Sequence, residues 1–419
     1  MDTKQSWKHW LAVVAAGLMM FAGTQTSSGV SIIMAGLRAA YGLAGTITSS
    51  ILSVTTLAAF IVVFFADKYY GALGLRKGEP LAFLVAACSL AVFHFAGDNM
   101  PILYAAACIL GASYALTMIL PMSLLLKTWF NKSRALAMSI ASACTGLSTL
   151  ILSKIVRGNI TAYGMDGGYL TEACVFIAVA IIFFLICRNK PEDMGLEIYG
   201  GADYVEMKGG KKEAINAEKT NMTYVWMFVL CALMIGIVAA PSQSHLVVTF
   251  EAAGYDAALV ASAYSIVGLS GMIAKPVFGV LSKTPIKIKW LCTLFLAFRV
   301  ICCAFTFWTG LNGGTLISWI PFFACFIFAF GAPVTSVGYN NWVASVSSKE
   351  DFPKNVKYAQ FAYQGGEIVG ALIPGIIFDA TGTYTGWYGI AAVVLVICIL
   401  VMHVIYKRIE AQHDAEAAA

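Results

Sequence analysis

Twelve separate runs of this sequence are apolar enough to cross a lipid bilayer as a helix, and that property removes most other folds. Crossing the hydrocarbon core takes about 20 apolar residues in a helix. The runs lie at about 10–34, 44–66, 80–97, 101–126, 135–153, 169–187, 223–247, 257–281, 290–310, 315–338, 358–378 and 386–406. Hydrophobic residues make up 59% of the chain and charged residues only 12%, about half the 25% or so that a soluble domain carries. Such a chain cannot cover itself with polar surface, so lipid must be its main solvent. The sequence predicts an all-α membrane protein with twelve transmembrane helices.

One connection is long and polar, from Arg188 to Asn221, and it divides the spans six plus six. The predicted organisation is an N-terminal six-helix half (1–187), a central loop (188–222), a C-terminal half (223–408) and a short tail (409–419). The start of the chain, with Lys4 and Lys8 before an apolar run lacking a clear cleavage site, reads as a first span and not as a signal peptide. The N-terminus, every second connection, the central loop and the tail hold 22 of the 27 Lys and Arg residues. The opposite side has only Arg38, Lys154 and Arg157. By the positive-inside rule, both termini and the central loop are expected in the cytoplasm, in a plasma membrane (a bacterial inner membrane being the expected kind). That asymmetry accounts for the net charge of +5 without a nucleic-acid partner. The eleven cysteines are scattered and form no CxxC pair or His/Cys cluster. No metal or cofactor is expected, and no nucleophile–base pair or phosphate-cradling loop points to an enzyme.

The halves resemble each other. "AGTQTSSG" (22–29) answers "APSQSHLV" (240–247), "AAYGLAGTITSS" (39–50) answers "AAGYDAALVASA" (252–263), and "GAS" (111–113) answers "GAP" (331–333). Transporters built from repeated halves place the substrate near the midplane at the repeat interface. The first pair supplies hydroxyl and amide groups: Gln25, Thr26 and Ser28 in span 1, Ser242, Gln243 and His245 in span 7. These are expected either to hydrogen-bond substrate or to bond neighbouring helices, the latter worth about 0.6 kcal/mol each. Tyr363 is a further expected cavity residue.

Six plus six spans with a long middle loop resemble the major facilitator superfamily, and local motifs agree. "FFADKYYGALGLRKG" (64–78) is similar to the superfamily's loop signature through Asp67, Lys68, Gly71, Arg76 and Lys77. "GVLSKTPIKIK" (279–289) is its weaker second copy, keeping Gly279 and Lys283. "KTWFNKSRALAMSIASACTGLS" (127–148) resembles the W-F-x-x-x-R-G-x-A pattern of monocarboxylate and oxalate/formate transporters, with Ala135 in place of the glycine. "NKPEDMGLEIYGG" (189–201) is similar to the segment after span 6 in that group. The resemblance implies two pseudo-symmetric halves and a gating role for Asp67, Lys68, Arg76, Lys77, Arg134 and Lys283. It also implies an anion contact in span 8, where the group has R-P-x-x-G and this chain has "KPVFG" (275–279). Lysine offers a point charge instead of a planar fork, so one carboxylate fits better than a clamped dicarboxylate. The lysine of span 11 and the aromatic cage of span 1 found in oxalate carriers are absent here, so oxalate is not carried over.

Lys275, Glu367 and Arg299 lie within spans, where a charge costs about 2.5–3.5 kcal/mol on insertion scales and so faces a cavity or a partner. Lys275 is about six residues, roughly 9 Å, from the cytoplasmic end of span 8; it reads as a substrate contact or as a snorkelling side chain. Glu367, near the middle of span 11, reads as a proton carrier or as a structural partner. Arg299 of span 9 is expected to pair with Glu367. The function expected is alternating-access transport of a small organic anion, in particular a monocarboxylate, by proton symport or anion exchange, in a monomer. The alternatives are a carrier of a zwitterion such as an amino acid or betaine, and a transporter-like ligand-sensing receptor.

Overall fold

The computed structural model of the protein describes residues 6–200, 220–281, 287–311, 317–348 and 350–418. Nearly all of them are helical, and among the described residues no strand forms beyond one bridge between Phe130 and Tyr199. Many large apolar side chains stay exposed on the helices, among them Ile181, Leu185, Leu230, Val280 and Leu400. For a chain in lipid those faces are solvated.

The first half comprises α1 (Trp10–Gly23), α2 (Ser28–Tyr41), α3 (Gly45–Val62), α4 (Ala66–Ala96), α5 (Met100–Leu116), α6 (Ile119–Trp129), α7 (Arg134–Tyr163) and α8 (Met165–Ile186). The second comprises α9 (Met222–Ser244), α10 (Leu246–Ala252), α11 (Ala257–Leu281), α12 (Ile288–Leu311), α13 (Trp319–Phe330), α14 (Tyr339–Ser345), α15 (Phe352–Gly370), α16 (Ile373–Thr381) and α17 (Thr385–Ala418). Among the described residues, ten helical stretches are long and apolar enough to cross a membrane. One of them, Gly45–Ala96, runs for 52 residues and bends at Gly74, whose φ of +67° breaks the helix. It therefore holds two predicted spans, and the short α13 opens another. The helix of span 5 is longer than predicted, so Lys154 and Arg157 lie within α7 and not in a connection.

The described residues divide into two compact units, within Met1–Lys208 plus Asp256–Met272, and within Gly209–Tyr255 plus Ile273–Ala419. In the first unit, α7 and the outer part of α11 cross at two glycines. A Cβ on Gly268 would sit 2.2 Å from the carbonyl oxygen of Gly146, so neither position has room for a side chain. Gly268→Val is expected to lower the unfolding free energy of the purified protein by at least about 1–3 kcal/mol, the usual cost of overpacking; an unchanged thermal midpoint would contradict this crossing. In the second unit, α15 lies on α9 through Gly366 and Gly370, where a Cβ would come within 2.3 Å and 2.0 Å of the α9 carbonyls of Leu233 and Ile237. The run "GGEIVG" is thus first a packing motif that holds Glu367 on a fixed helix.

The link before α15 is tied to the end of the central loop. Thr220 Oγ1 donates to Asp351 Oδ2 at 2.5 Å and Ser348 Oγ donates to the same oxygen at 3.2 Å. These bonds, Thr220's first, hold the Asp351 carboxyl below its ordinary value. A depressed carboxyl stabilises the fold above its unfolded pKa of about 3.9 and loses that contribution as pH falls through the folded value. Asp351→Asn is therefore expected to flatten the acid limb of a stability–pH profile while leaving its alkaline limb unchanged.

Candidate functional site

Five predicted spans are interrupted, and four interruptions fall at corresponding places in the two halves. Span 1 breaks at Thr24–Ser27, span 4 between α5 and α6, span 7 at His245, and span 10 at a π-helical turn, Val334–Gly338. Span 11 breaks between α15 and α16. Four of the five breaks have a local cause. Pro121, Pro333 and Pro374 each lie four residues after a carbonyl that they cannot bond and that their ring displaces. The matching breaks fall at Thr117–Met118, Gly331 and Ala371–Leu372. Span 1 has no proline there; its hydroxyls compete for the backbone instead. Thr24 donates to Met20 O, Thr26 to Gly23 O (both 2.6 Å), and Ser27 to Thr24 O at 3.1 Å. Discontinuous helices with freed backbone groups are the usual walls of a transporter's binding site. In the first unit two breaks touch, with the Thr117 carbonyl against Gly23.

The polar residues expected to meet substrate are mostly occupied within their own units. Gln25, Thr26 and Ser28 are buried, and Gln25 Nε2 donates to Ser148 Oγ on α7 at 2.7 Å. Ser242 is buried and accepts from Trp387 Nε1 at 3.1 Å, while its carbonyl accepts from Tyr388 Oη at 2.8 Å. His245 is buried, with Nδ1 2.8 Å from Pro241 O. Gln25 and Ser242 thus bond neighbouring helices, while His245 bonds within its own span. Gln243 and Tyr363 are partly accessible.

Lys275 is exposed on α11 and makes no ion pair among the described residues. Its surroundings are nevertheless dense with protein atoms. Glu367 has the same character, half-buried yet closely surrounded, and it accepts a hydrogen bond from Tyr363 one turn earlier. Arg299 differs from both. It is 2% exposed, its Nη1 donates to Thr335 Oγ1 at 2.7 Å, and its guanidinium stacks 3.9 Å from the Phe328 ring centre. The expected ion pair with Glu367 does not form. Arg299 points from α12 to α13 and the π-turn of span 10, so a hydroxyl and an aromatic face receive the cation.

The sequence profile of the Major Facilitator Superfamily matches residues 11–354. The chain belongs to this superfamily. Solved structures of superfamily-like carriers share its fold. The nucleoside transporter NupG is similar at a TM-score of 0.68 and 12% identity, over 96% of this chain and 100% of that one. A bacterial homologue of the human drug peptide transporters PepT1 and PepT2 gives 0.67 and 11%, over 96% and 99%. A bacterial homologue of the human lysosomal transporter Spinster, in an inward-facing and occupied conformation, gives 0.65 and 14%, over 94% and 96%. At such identities the likeness concerns fold alone. No protein of curated function matches the chain at significant sequence similarity. The protein is a multi-pass membrane transporter of the superfamily type.

The superfamily's signature loop is anchored by residues that the motif does not contain. Tyr70 donates to Glu79 Oε2 at 2.6 Å and lies against the Leu116 carbonyl, while Tyr69 donates to Gly78 O at 2.7 Å. Arg76 N donates to Asn189 Oδ1 at 2.9 Å, and Arg76 Nε reaches Phe184 O at 3.2 Å. Asp67 lines a crevice of about 380 Å³ with Tyr70, Gly74, Thr128, Asn189 and Lys190. Lys68, Lys77 and Arg134 are exposed, and Lys283 falls outside the described residues. The segment after span 6 then crosses to the W-F motif. Tyr199 N donates to Trp129 O at 2.9 Å, Trp129 Nε1 to Arg188 O at 3.2 Å, and His9 Nε2 lies 2.7 Å from Glu197 O. Two sequence motifs read separately are one structural strap. The residues that sequence reasoning passed over are Glu79, Thr335 and Glu172, the last a carboxyl within span 6. Its signal was present: a glutamate inside an apolar run.

Proposed function

We propose that this superfamily member transports a small organic anion, with a monocarboxylate as the favoured class, by alternating access, through proton symport or anion exchange. The observation that carries the reading is Lys275, an exposed ammonium within an apolar helix, in crowded surroundings, with no ion pair among the described residues. A charge in that position is retained for a partner that comes and goes. Gln243 and Tyr363 are the accessible polar side chains proposed to orient the substrate, and Glu367 is the proposed coupling carboxyl of the second unit. The monocarboxylate and oxalate/formate group is the proposed subfamily, on the W-F-x-x-x-R and K-P-x-x-G segments. Both termini are proposed to face the cytoplasm, from the distribution of basic residues.

Glu367 also favours a second reading, since a partly accessible carboxyl within an apolar helix suits a zwitterion such as an amino acid or betaine. Uptake into proteoliposomes from a panel of labelled carboxylates and amino acids, with and without a pH gradient, decides. Monocarboxylate uptake supports the first reading, amino-acid uptake the second. Transport of cations alone would overturn both.

A further inference from the structure

Two glutamates are fully buried in the first unit, and they differ in one respect. Glu79 accepts the Tyr70 hydroxyl. Glu172 on α8 is 1% exposed, and neither of its carboxyl oxygens has a hydrogen-bond partner. It faces Gly29 of α2: a Cβ there would lie 2.4 Å from Glu172 Oε1 and 3.2 Å from Gln25 Oε1. The absent side chain is what lets the two oxygens face one point. Gln25 Oε1 is also buried without a partner, while Gln25 Nε2 donates to Ser148 Oγ.

A carboxylate oxygen and an amide carbonyl are both acceptors, so their approach is unfavourable. A carboxylic acid and an amide carbonyl are donor and acceptor, a pairing that can hydrogen-bond. Among the described residues no cation hydrogen-bonds to Glu172. Of the helices packed on α8, α1 has no titratable group. On α4, His94 is bonded to Asp166 of α8 at 2.6 Å. Arg157 of α7 and Arg38 and Tyr41 of α2 give Glu172 no hydrogen bond, and Tyr169, one turn before it, is the group electrostatically coupled to it. Burying an unpaired carboxylate costs several kcal/mol or more.

We propose that Glu172 is a proton-binding site of this transporter, its acid proton bridging to Gln25 Oε1 beside Gly29. The proton comes from water and returns to it, converting carboxylate to acid and back. Gln25 reads the change. When the proton leaves, rotation of the amide presents Nε2 to the carboxylate, and Ser148, which can donate as well as accept, turns its hydroxyl to Oε1. Both states are hydrogen-bonded, and they differ at the residue in the middle of the span 1 break, Thr24–Thr26. Protonation is thus wired to a helix discontinuity, the kind of element that moves in transport.

The inference rests on the transport reading, but its direct readout does not. Infrared difference spectra of lipid-reconstituted protein, taken across a pH titration, report the carbonyl stretch of protonated carboxylic acids. The wild type is expected to show a band that Glu172→Gln removes, that Gln25→Leu shifts upward through loss of its hydrogen bond, and that Glu367→Gln leaves in place. In proteoliposomes, Glu172→Gln is expected to abolish stimulation of uptake by a pH gradient. Identical spectra for wild type, Glu172→Gln and Gln25→Leu at every pH would overturn the proposal. So would full gradient stimulation in Glu172→Gln. Should Glu172→Gln not fold, the Gln25→Leu shift alone decides. Should wild type transport nothing in the panel, the transport reading fails while the band still answers for Glu172.

Discussion

Lys275→Ala is expected to lower monocarboxylate uptake by about 10- to 150-fold while the protein still folds. A hydrogen bond to a charged group contributes about 1.5–3 kcal/mol, and each 1.4 kcal/mol is about a factor of ten in binding. Folding should survive because the ammonium is exposed and makes no ion pair among the described residues, so its removal strands no buried partner. A lysine that merely snorkels gives a different result, since truncation then removes only an apolar stem. Lys275→Arg is the informative companion. It keeps the charge but substitutes a planar fork suited to bidentate carboxylates, so uptake should partly return and preference should move toward dicarboxylates. The measurement is initial uptake rate against concentration for a mono- and a dicarboxylate in both variants. Unchanged kinetics in Lys275→Ala would remove the anion contact from this helix.

The all-helical membrane fold was legible because apolar length is a one-dimensional property. The helices were legible too: Lys275, Arg299 and Glu367 all lie on helices within their predicted runs. The face of each helix was not. Arg299 and Glu367 lie at comparable depth, and opposite charge suggested a pair, yet α12 turns its arginine toward Thr335. The same limit explains Gln25, Ser242 and His245. Their polarity and spacing suit a cavity wall, and packing turns them to Ser148, Trp387 and Pro241 instead. Breaks in spans 4, 10 and 11 could have been read from Pro121, Pro333 and Pro374, since a proline displaces the carbonyl four residues before it. The strap could not, because its bonds join residues far apart in the chain, such as Trp129 and Arg188 or His9 and Glu197.

Thr335→Val is expected to destabilise the second unit by about 3 kcal/mol, more than Arg299→Met, although the arginine is the larger side chain. Arg299 has one hydroxyl acceptor and one aromatic face, and its Nε is unpartnered. The bond to Thr335 contributes about 1.5–3 kcal/mol and the desolvated cation–π contact about 2 kcal/mol. Those gains nearly cancel the several kcal/mol that burying one ion costs. Replacing the cation with methionine removes both sides of that balance, and the change should stay within about 1–2 kcal/mol. Removing only the acceptor leaves the buried charge and deletes what offsets it. The double variant Arg299→Met/Thr335→Val should then recover most of the loss, a coupling of about 2–3 kcal/mol in a double-mutant cycle. Glu367→Gln, by contrast, should add independently to Arg299→Met within about 0.5 kcal/mol, as sites without a shared bond do. Chemical denaturation of the wild type, the three single variants and the two double variants in detergent tests both cycles. A strong coupling of Arg299 to Glu367, with none to Thr335, would restore the ion pair that charge and depth alone suggest.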